Sequence, residues 1–395
     1  MTQTARVPGA SAWEYARRLS FPRLSGSYGE KAAADLVVTT LESFGYAVER
    51  HAFPIRETPW GWMRATLIGS TALLLLAGWG AGKSPFLAFF FCCLLLVLPP
   101  LMNRVWGWRI LKHRDDGQSP YAINLIAPHP YSASNGLTVY LLAHYDTKSQ
   151  TLPITWRVVF ILLILVGTLA FGLTQLAVGL WPGYPDWSFA AFVNGGVAVL
   201  WTAALMAALA LLGVRTENRS PGGLDNAGSV GAVLRLAEVL RYRVWDRLTV
   251  VFVATGAEEL GLLGSTFLTQ RLCSSGDRGS LWVLNLDGLG VPGSLRMVEG
   301  TAIIPSPRTR FSLLLERLAN QLSIPLKPMP MLPGFLLDHI PFSRAGFAAT
   351  SLITVSKHGR RIHTPNDTIA LVDPAGLEEA VTLVLATLTE LDRTG

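Results

Sequence analysis

The chain is short of cysteine and of charge. Its three cysteines leave no disulfide framework: Cys92 and Cys93 adjoin inside an apolar stretch, and Cys273 stands alone. That usage fits a reducing compartment. Charged residues make up 15% of the chain, against about 25% in ordinary soluble domains. Met1 to Thr40 carries Arg, Lys and Glu without an apolar core, so a cleavable signal peptide is not expected. No repeat, low-complexity tract or nucleic-acid motif accompanies the net charge of +6, so nucleic acid is not the expected partner.

Hydrophobicity is what the chain has in excess. Half of its residues are apolar, and the mean hydropathy is +0.37. The excess is confined to four windows, Ala65–Gly82, Pro85–Met102, Val158–Leu180 and Phe189–Gly213. Each is about long enough to cross a hydrocarbon layer of roughly 30 Å at 1.5 Å per residue. Trp60, Trp62, Trp106, Trp108, Trp181 and Trp187 flank them, as an interfacial belt does. Pro99-Pro100 is expected to end the second window early. Buried core helices are the bland alternative, and the pairing of four charge-free runs argues for a membrane instead. The expected organisation is catalytic domain over 1–56, a transmembrane hairpin over 57–112, catalytic domain over 113–152, a second hairpin over 153–216, and the rest of the catalytic domain over 217–395.

Outside the hairpins, strand-like and helix-like segments alternate. Helical spacing covers Tyr28–Phe44, Asn226–Tyr242, Arg310–Leu322 and Pro374–Leu391. Extended patterns cover Tyr46–Phe53, Ala122–Ala127, Leu137–Ala143, Leu248–Ala254, Leu281–Leu286 and Ala349–Val355. Such alternation predicts an α/β layer fold with ligands gathered where the strands end.

Polar residues at those ends carry the chemistry. His144 follows TVYLLA, Asp225 lies in GGLDNAGS, Glu259 follows VVFVATGAE, Asp287 follows LWVLNL, and His363 lies in RRIHTPNDT. Two imidazoles and three carboxylates suit a pair of borderline-soft divalent metals, above all zinc. Glu258 beside Glu259 is a spare carboxylate of the kind a hydrolytic water needs as base. Asp146, two residues past His144, is placed to take the other ring N–H of that histidine. Singly, each has a plainer reading. His144 could be a hydrogen-bonded core histidine, Asp225 a helix N-cap, Glu258-Glu259 a solvated helix start and His363 a turn residue. Their shared setting at strand ends favours the metallohydrolase.

The segments HYD, DNAG, AEELGLLGS, NLDGLG and HTPNDT, in that order, resemble the co-catalytic zinc exopeptidases, a family that includes bacterial leucine aminopeptidases, aminopeptidase Y and glutamate carboxypeptidase. The resemblance implies a three-layer α/β/α sandwich with a mixed, mostly parallel sheet, here interrupted by two transmembrane hairpins. It implies two Zn2+ ions: His144 and Asp287 on one, Glu259 and His363 on the other, and Asp225 bridging. It implies Glu258 as general base and Asp146 as the residue orienting His144. The activity implied is peptide-bond hydrolysis at a chain terminus, with aminopeptidase action foremost. The segment DHIPFSRAGF (Asp338 to Phe347) resembles the family's pocket-shaping stretch. Two alternatives stand beside this reading. Glutaminyl cyclases share HYD, a paired Glu, DHIPF and the last His but use one zinc, and their longer Trp-containing loop is absent from AEELGLLGS. A metal-free membrane scaffold is the other.

Substrate identity and oligomeric state are left open by the sequence. Lys357, His358, Arg360 and Arg361, just before His363, face either a substrate carboxylate or solvent and lipid headgroups. Charge near the windows is lopsided. Arg56, Arg64, Arg104, Arg109, Lys112, Arg114, Lys148, Arg157, Arg215 and Arg219 lie on the side of the ligand-bearing segments, whereas the two opposite turns hold only Lys83. The positive-inside rule therefore predicts a multi-pass protein, in contact with the bilayer, whose catalytic domain faces the cytoplasm and meets its peptide substrate there.

Overall fold

The computed structural model describes residues 9–55, 59–111, 121–133, 136–181, 188–274, 279–300, 308–331 and 335–394. In chain order the elements are α1 (Gly9–Leu19), α2 (Tyr28–Ser43), β1 (Glu49–Pro54), α3 (Pro59–Ala81), α4 (Pro85–Leu111), β2 (Tyr121–Pro128), β3 (Leu137–His144) and β4 (Ser149–Gln150). Then come α5 (Ile154–Leu180), α6 (Ser188–Leu212), β5 (Thr216–Glu217), α7 (Gly228–Leu240), β6 (Leu248–Thr255), α8 (Leu263–Ser274), β7 (Leu281–Asp287) and β8 (Leu295–Glu299). The last are α9 (Arg310–Gln321), β9 (Leu326–Met329), α10 (His339–Arg344), β10 (Ala348–Thr354) and α11 (Pro374–Thr394). Contacts divide the chain into two compact units. One comprises Met1–Arg56, Asp115–Gln150 and Thr216–Gly395, and the other Glu57–Arg114 and Thr151–Arg215.

In the first unit an eight-stranded sheet runs β1-β2-β6-β3-β7-β10-β8-β9. The central strands β6, β3, β7 and β10 are mutually parallel, and antiparallel pairs flank them at β2–β6 and β10–β8. Alternation along the strands builds two cores. Leu141, Ala143, Phe252, Ala254, Leu284 and Leu286 pack with α1, α2, α7, α9 and α11 on one face. Leu142, Val251, Val253, Val283 and Ala349 pack with Leu268 and Leu272 of α8 and Phe342 of α10 on the other. Helices on both faces of a mixed, mostly parallel sheet make the three-layer sandwich expected from the sequence. A chain that must bury strands on both faces needs apolar residues at nearly every position, which is how β6 and β7 read.

The second unit consists of α3, α4, α5 and α6. All four are long and apolar enough to cross a membrane. Ala77, Ala88, Cys92 and Phe171 pack together, as do Leu74, Leu95 and Ala208, while Leu162, Leu169, Val199 and Met206 are exposed. Alanines at helix contacts and large apolar side chains on the outside are features that helices in lipid share. Gly78 shows the closeness of packing: a Cβ there would lie 2.4 Å from the Trp201 ring. Contrary to expectation, Pro99-Pro100 does not end the second helix, since α4 continues through both to Leu111. The lost backbone hydrogen bonds are tolerated in membrane helices, where neighbouring groups take over. Arg56, Lys112, Arg114 and Trp187 lie outside the described residues, as do the side chains of Trp60, Trp62, Arg104, Trp106, Trp108 and Arg109.

Candidate metal centre

Four of the predicted residues leave the carboxyl ends of adjacent parallel strands. β3 ends on His144, β7 ends on Asp287, and β6 ends at Thr255, three residues before Glu258-Glu259. β10 ends at Thr354, and the chain then turns through Lys357–Arg361 to reach His363. Asp225 arrives from the segment before α7. It is not the cap of that helix: α7 begins at Gly228, Ala227 occupies the cap position, and Asp225 has extended backbone angles. The plain N-cap reading of DNAG is therefore set aside.

These side chains converge. His144 Nε2 lies 3.0 Å from Asp225 Oδ1 and 3.8 Å from Asp287 Oδ1. His363 Nε2 lies 3.0 Å from Asp225 Oδ2 and 3.2 Å from Glu259 Oε1. Two potential ligand triads result, His144–Asp225–Asp287 and Asp225–Glu259–His363, joined by the two oxygens of Asp225. Separations of 3.0 to 3.8 Å are of the size of the edges of a tetrahedron with bonds of about 2.0–2.2 Å.

The donor set fits metal. His144 Nδ1 faces the Asp146 carbonyl at 3.1 Å; a carbonyl only accepts, so Nδ1 carries the proton and Nε2 turns its lone pair to the carboxylates. Glu259 Oε1 is buried and accepts no hydrogen bond. Lone pairs facing lone pairs in a buried site need a cation between them.

Asp146 does more than expected, and differently. Its carbonyl, not its carboxylate, takes the His144 ring N–H; the carboxylate oxygen is 3.6 Å away. The carboxylate instead accepts from Glu258 N at 3.2 Å, Glu259 N at 3.1 Å and Ser25 Oγ at 2.8 Å. It thus fixes the turn that presents both glutamates. That turn holds Ala257 at φ 53°, and His363 sits at φ 61°, left-handed conformations that cost non-glycine residues about 1 kcal/mol or more.

The electrostatics separate the acids. Burial opposes charge on Asp225, yet the imidazoles of His144 and His363 against its two oxygens hold its carboxyl well below the usual range. Burial likewise opposes charge on Glu259, and His363 with Lys148 pulls it down. Burial pushes Glu258 well above the ordinary glutamate value, and Glu259, Asp338 and Asp287 reinforce the rise. Asp287 is pushed up to about 6, chiefly by burial. Burial works against charge on His144, but Glu258, Asp146, Asp225 and Asp287 hold its pKa well above the ordinary value, so a metal ion at Nε2 would compete there with a proton.

Arg23 and Asp367 serve the site without being singled out by the sequence, and in the sequence Lys148 reads only as a charge near the membrane ends. Arg23, with no exposure, donates to the carbonyls of Tyr145 (2.7 Å), Phe21 (2.9 Å) and Pro221 (2.8 Å). It ties the segment before α2 to the turns carrying Asp146 and Asp225. Asp367 accepts from Leu224 N at 2.8 Å and Asp225 N at 3.1 Å. Lys148 places Nζ 2.6 Å from Glu259 Oε2. In DHIPF, Asp338 accepts from Thr255 Oγ1 and leaves Oδ1 buried without a partner. His339 bonds Ser351 Oγ and Gly300 O, and burial lowers its pKa to about 4. It is a neutral structural residue rather than a ligand.

Residues 209–388 match the profile of Peptidase family M28. The chain carries a Peptidase family M28 domain. It is 29% identical over 183 residues to Aminopeptidase YwaD of Bacillus subtilis (strain 168), an alignment covering 43% of this chain and 38% of that protein. It is 38% identical over 76 residues to the alkaline phosphatase isozyme conversion protein of Escherichia coli (strain K12), covering 19% and 22%. The chain thus spans well under half the length of these curated relatives. Among solved structures it is similar to BSAP, a zinc aminopeptidase from Bacillus subtilis, with TM-score 0.56, 15% identity and coverage of 97% and 95%. A glutaminyl cyclase from an Acidobacteriales bacterium is similar too, with TM-score 0.57, 13% identity and coverage of 100% and 99%. At such identities the likeness establishes the fold, which both activities share.

Proposed function

We propose that the chain is a membrane-anchored zinc exopeptidase of aminopeptidase type. The observation that carries this reading is the joining of two buried His–carboxylate triads through Asp225. His144 and Asp287 would hold one Zn2+, Glu259 and His363 the other, with Asp225 shared. Bound zinc would supply Lewis acidity, lowering the pKa of a water and neutralising charge that develops on the carbonyl oxygen.

The chain's own residues do the rest. Glu258 Oε2 lies 3.9 Å from His144 Nε2, beside both triads. Burial and the carboxylates around it raise its pKa, which makes its ionised form a strong base, while Asp225 and Glu259 are held ionised. Environments that push neighbouring carboxylates apart assign their roles. Glu258 takes the proton of the attacking water as the C–O bond forms and the carbonyl π pair moves onto oxygen, then passes that proton to the amine as the C–N bond breaks. Asp146 keeps Glu258 and Glu259 in place through their backbone N–H groups.

Anchoring rests on the four apolar helices, and the cytoplasmic side on the distribution of Arg and Lys near their ends. The glutaminyl cyclase reading draws on the shared fold and on DHIPF, but a cyclase needs one metal, and here a second triad is present. A zinc measurement combined with a peptide library bearing free and blocked termini tests the choice. The expected result is two zinc ions per chain and release of residues from free N-termini. One zinc with cyclisation of N-terminal glutamine would overturn it.

A further inference from the structure

Lys148 lies four residues past His144, and its side chain is 9% exposed. Nζ stands 2.6 Å from Glu259 Oε2 and 3.4 Å from the Glu259 carbonyl. The backbone that carries it is pinned on both sides, before it by Thr147 N, which donates to Arg23 O at 3.1 Å. Ser149 Oγ donates to Glu217 O at 2.9 Å and accepts from Arg219 N at 3.0 Å, and Gln150 N donates to His363 O at 2.9 Å. The ammonium is thus buried, paired with Glu259 and carried on a fixed stretch of backbone.

Its placement makes the two triads unequal. A carboxylate offers two oxygens, and Lys148 occupies one of Glu259's. The other, Oε1, faces His363 Nε2 at 3.2 Å. A divalent ion entering between Asp225, Glu259 and His363 would share Glu259 with a fixed like charge in a water-poor site, where screening is weak. On the other side, His144 and Asp287 face each other around Asp225, with Lys148 directed at Glu259 instead.

We propose that Lys148 is a resident competitor for Glu259 that sets the Asp225–Glu259–His363 position as the weaker, exchangeable one of the two. This inference rests on the two-metal reading above. It carries an unusual sign. Removing a residue that orients a metal ligand ordinarily weakens binding, by about 10–100-fold. Removing Lys148 strengthens it, because the charge lost is one that repels the metal.

The test is a chelator-buffered zinc titration of the purified full-length chain in detergent, with zinc content read by elemental analysis. Wild type is expected to bind two zinc ions with distinct affinities. Lys148→Met should tighten the weaker site by about tenfold or more and leave the tighter one within about threefold. Lys148→Arg, which keeps the charge, should behave as wild type. A weaker site that is unchanged or further weakened in Lys148→Met overturns the inference, as do two equal affinities in wild type, a result independent of how the variant folds. Binding of no zinc by wild type overturns the two-metal reading and this inference with it.

Discussion

The side chain of Asn226 grips the peptide groups on either side of Asp287. Nδ2 donates to Leu286 O at 3.1 Å, and Oδ1 accepts from Gly288 N at 3.1 Å. The residue next to Asp225 thereby holds Asp287, its proposed partner at the end of β7. Asn226→Ala should cost zinc at the His144–Asp225–Asp287 position by about 10–100-fold in affinity, as loss of a ligand-orienting partner does. Zinc titration alongside a thermal melt checks this; unchanged affinity in a folded variant refutes it.

Glu258→Gln should keep zinc and lose rate. General-base catalysis is typically worth about 10²–10⁴-fold, and the amide cannot take the proton. Steady-state kcat with a free N-terminal peptide is the measurement, with zinc content as control. Asp225→Asn should do the reverse and cost metal first, since both triads depend on its two oxygens.

Glu30 gives a pH signature remote from the ligands. Ser27 Oγ accepts from Glu30 N and Glu30 Oε2 accepts from Gly26 N, the reciprocal cap at the start of α2. Burial raises the Glu30 pKa from 4.5 to about 7, with the nearby Asp146 adding to the rise. Its folded-state pKa lies above the unfolded one, so its contribution favours folding below about 4.5 and is lost as pH climbs to about 7. The span corresponds to on the order of 3 kcal/mol. Glu30→Gln keeps the cap and removes the titration. The melting temperature of wild type minus that of this variant should fall between pH 4.5 and 7 and level off above; a flat difference sinks the assignment.

Orientation can be read by labelling. A cysteine at Ser84, between α3 and α4, should react with an impermeant thiol reagent on intact cells, while Cys273 should be protected. The opposite pattern would place the metal centre outside.

Three of the proposed ligands, His144, Glu259 and Asp287, were legible because each follows an apolar strand, and strands announce themselves locally. His144, Glu259 and Asp287 needed only the rule that parallel strands deliver side chains at one edge. What stayed hidden acts across long sequence separations. Arg23 reaches Tyr145 and Pro221, Asn226 reaches Leu286 and Gly288, and Asp367 reaches Leu224, none with a local pattern to reveal it. α1, α8 and β8 were missed because short or polar-mixed segments take their structure from the neighbours they pack on. Pro99-Pro100 misled because the usual penalty is that of a helix in water, and α4 is long and apolar enough to cross a membrane, where prolines are better tolerated.

The pairing of Ser149 with Glu217 and of Gln150 with Thr216 gives the second apolar insertion a closed doorway. Its two ends leave the first unit as adjacent rungs of one small antiparallel ladder. A loop whose ends already touch adds little closure entropy however long it grows. In evolutionary terms the ladder is a splice point: α5 and α6 together occupy the position of a hairpin turn, and a short polar turn grafted from Gln150 to Thr216 would leave Lys148, His363 and the strands behind them tethered as before.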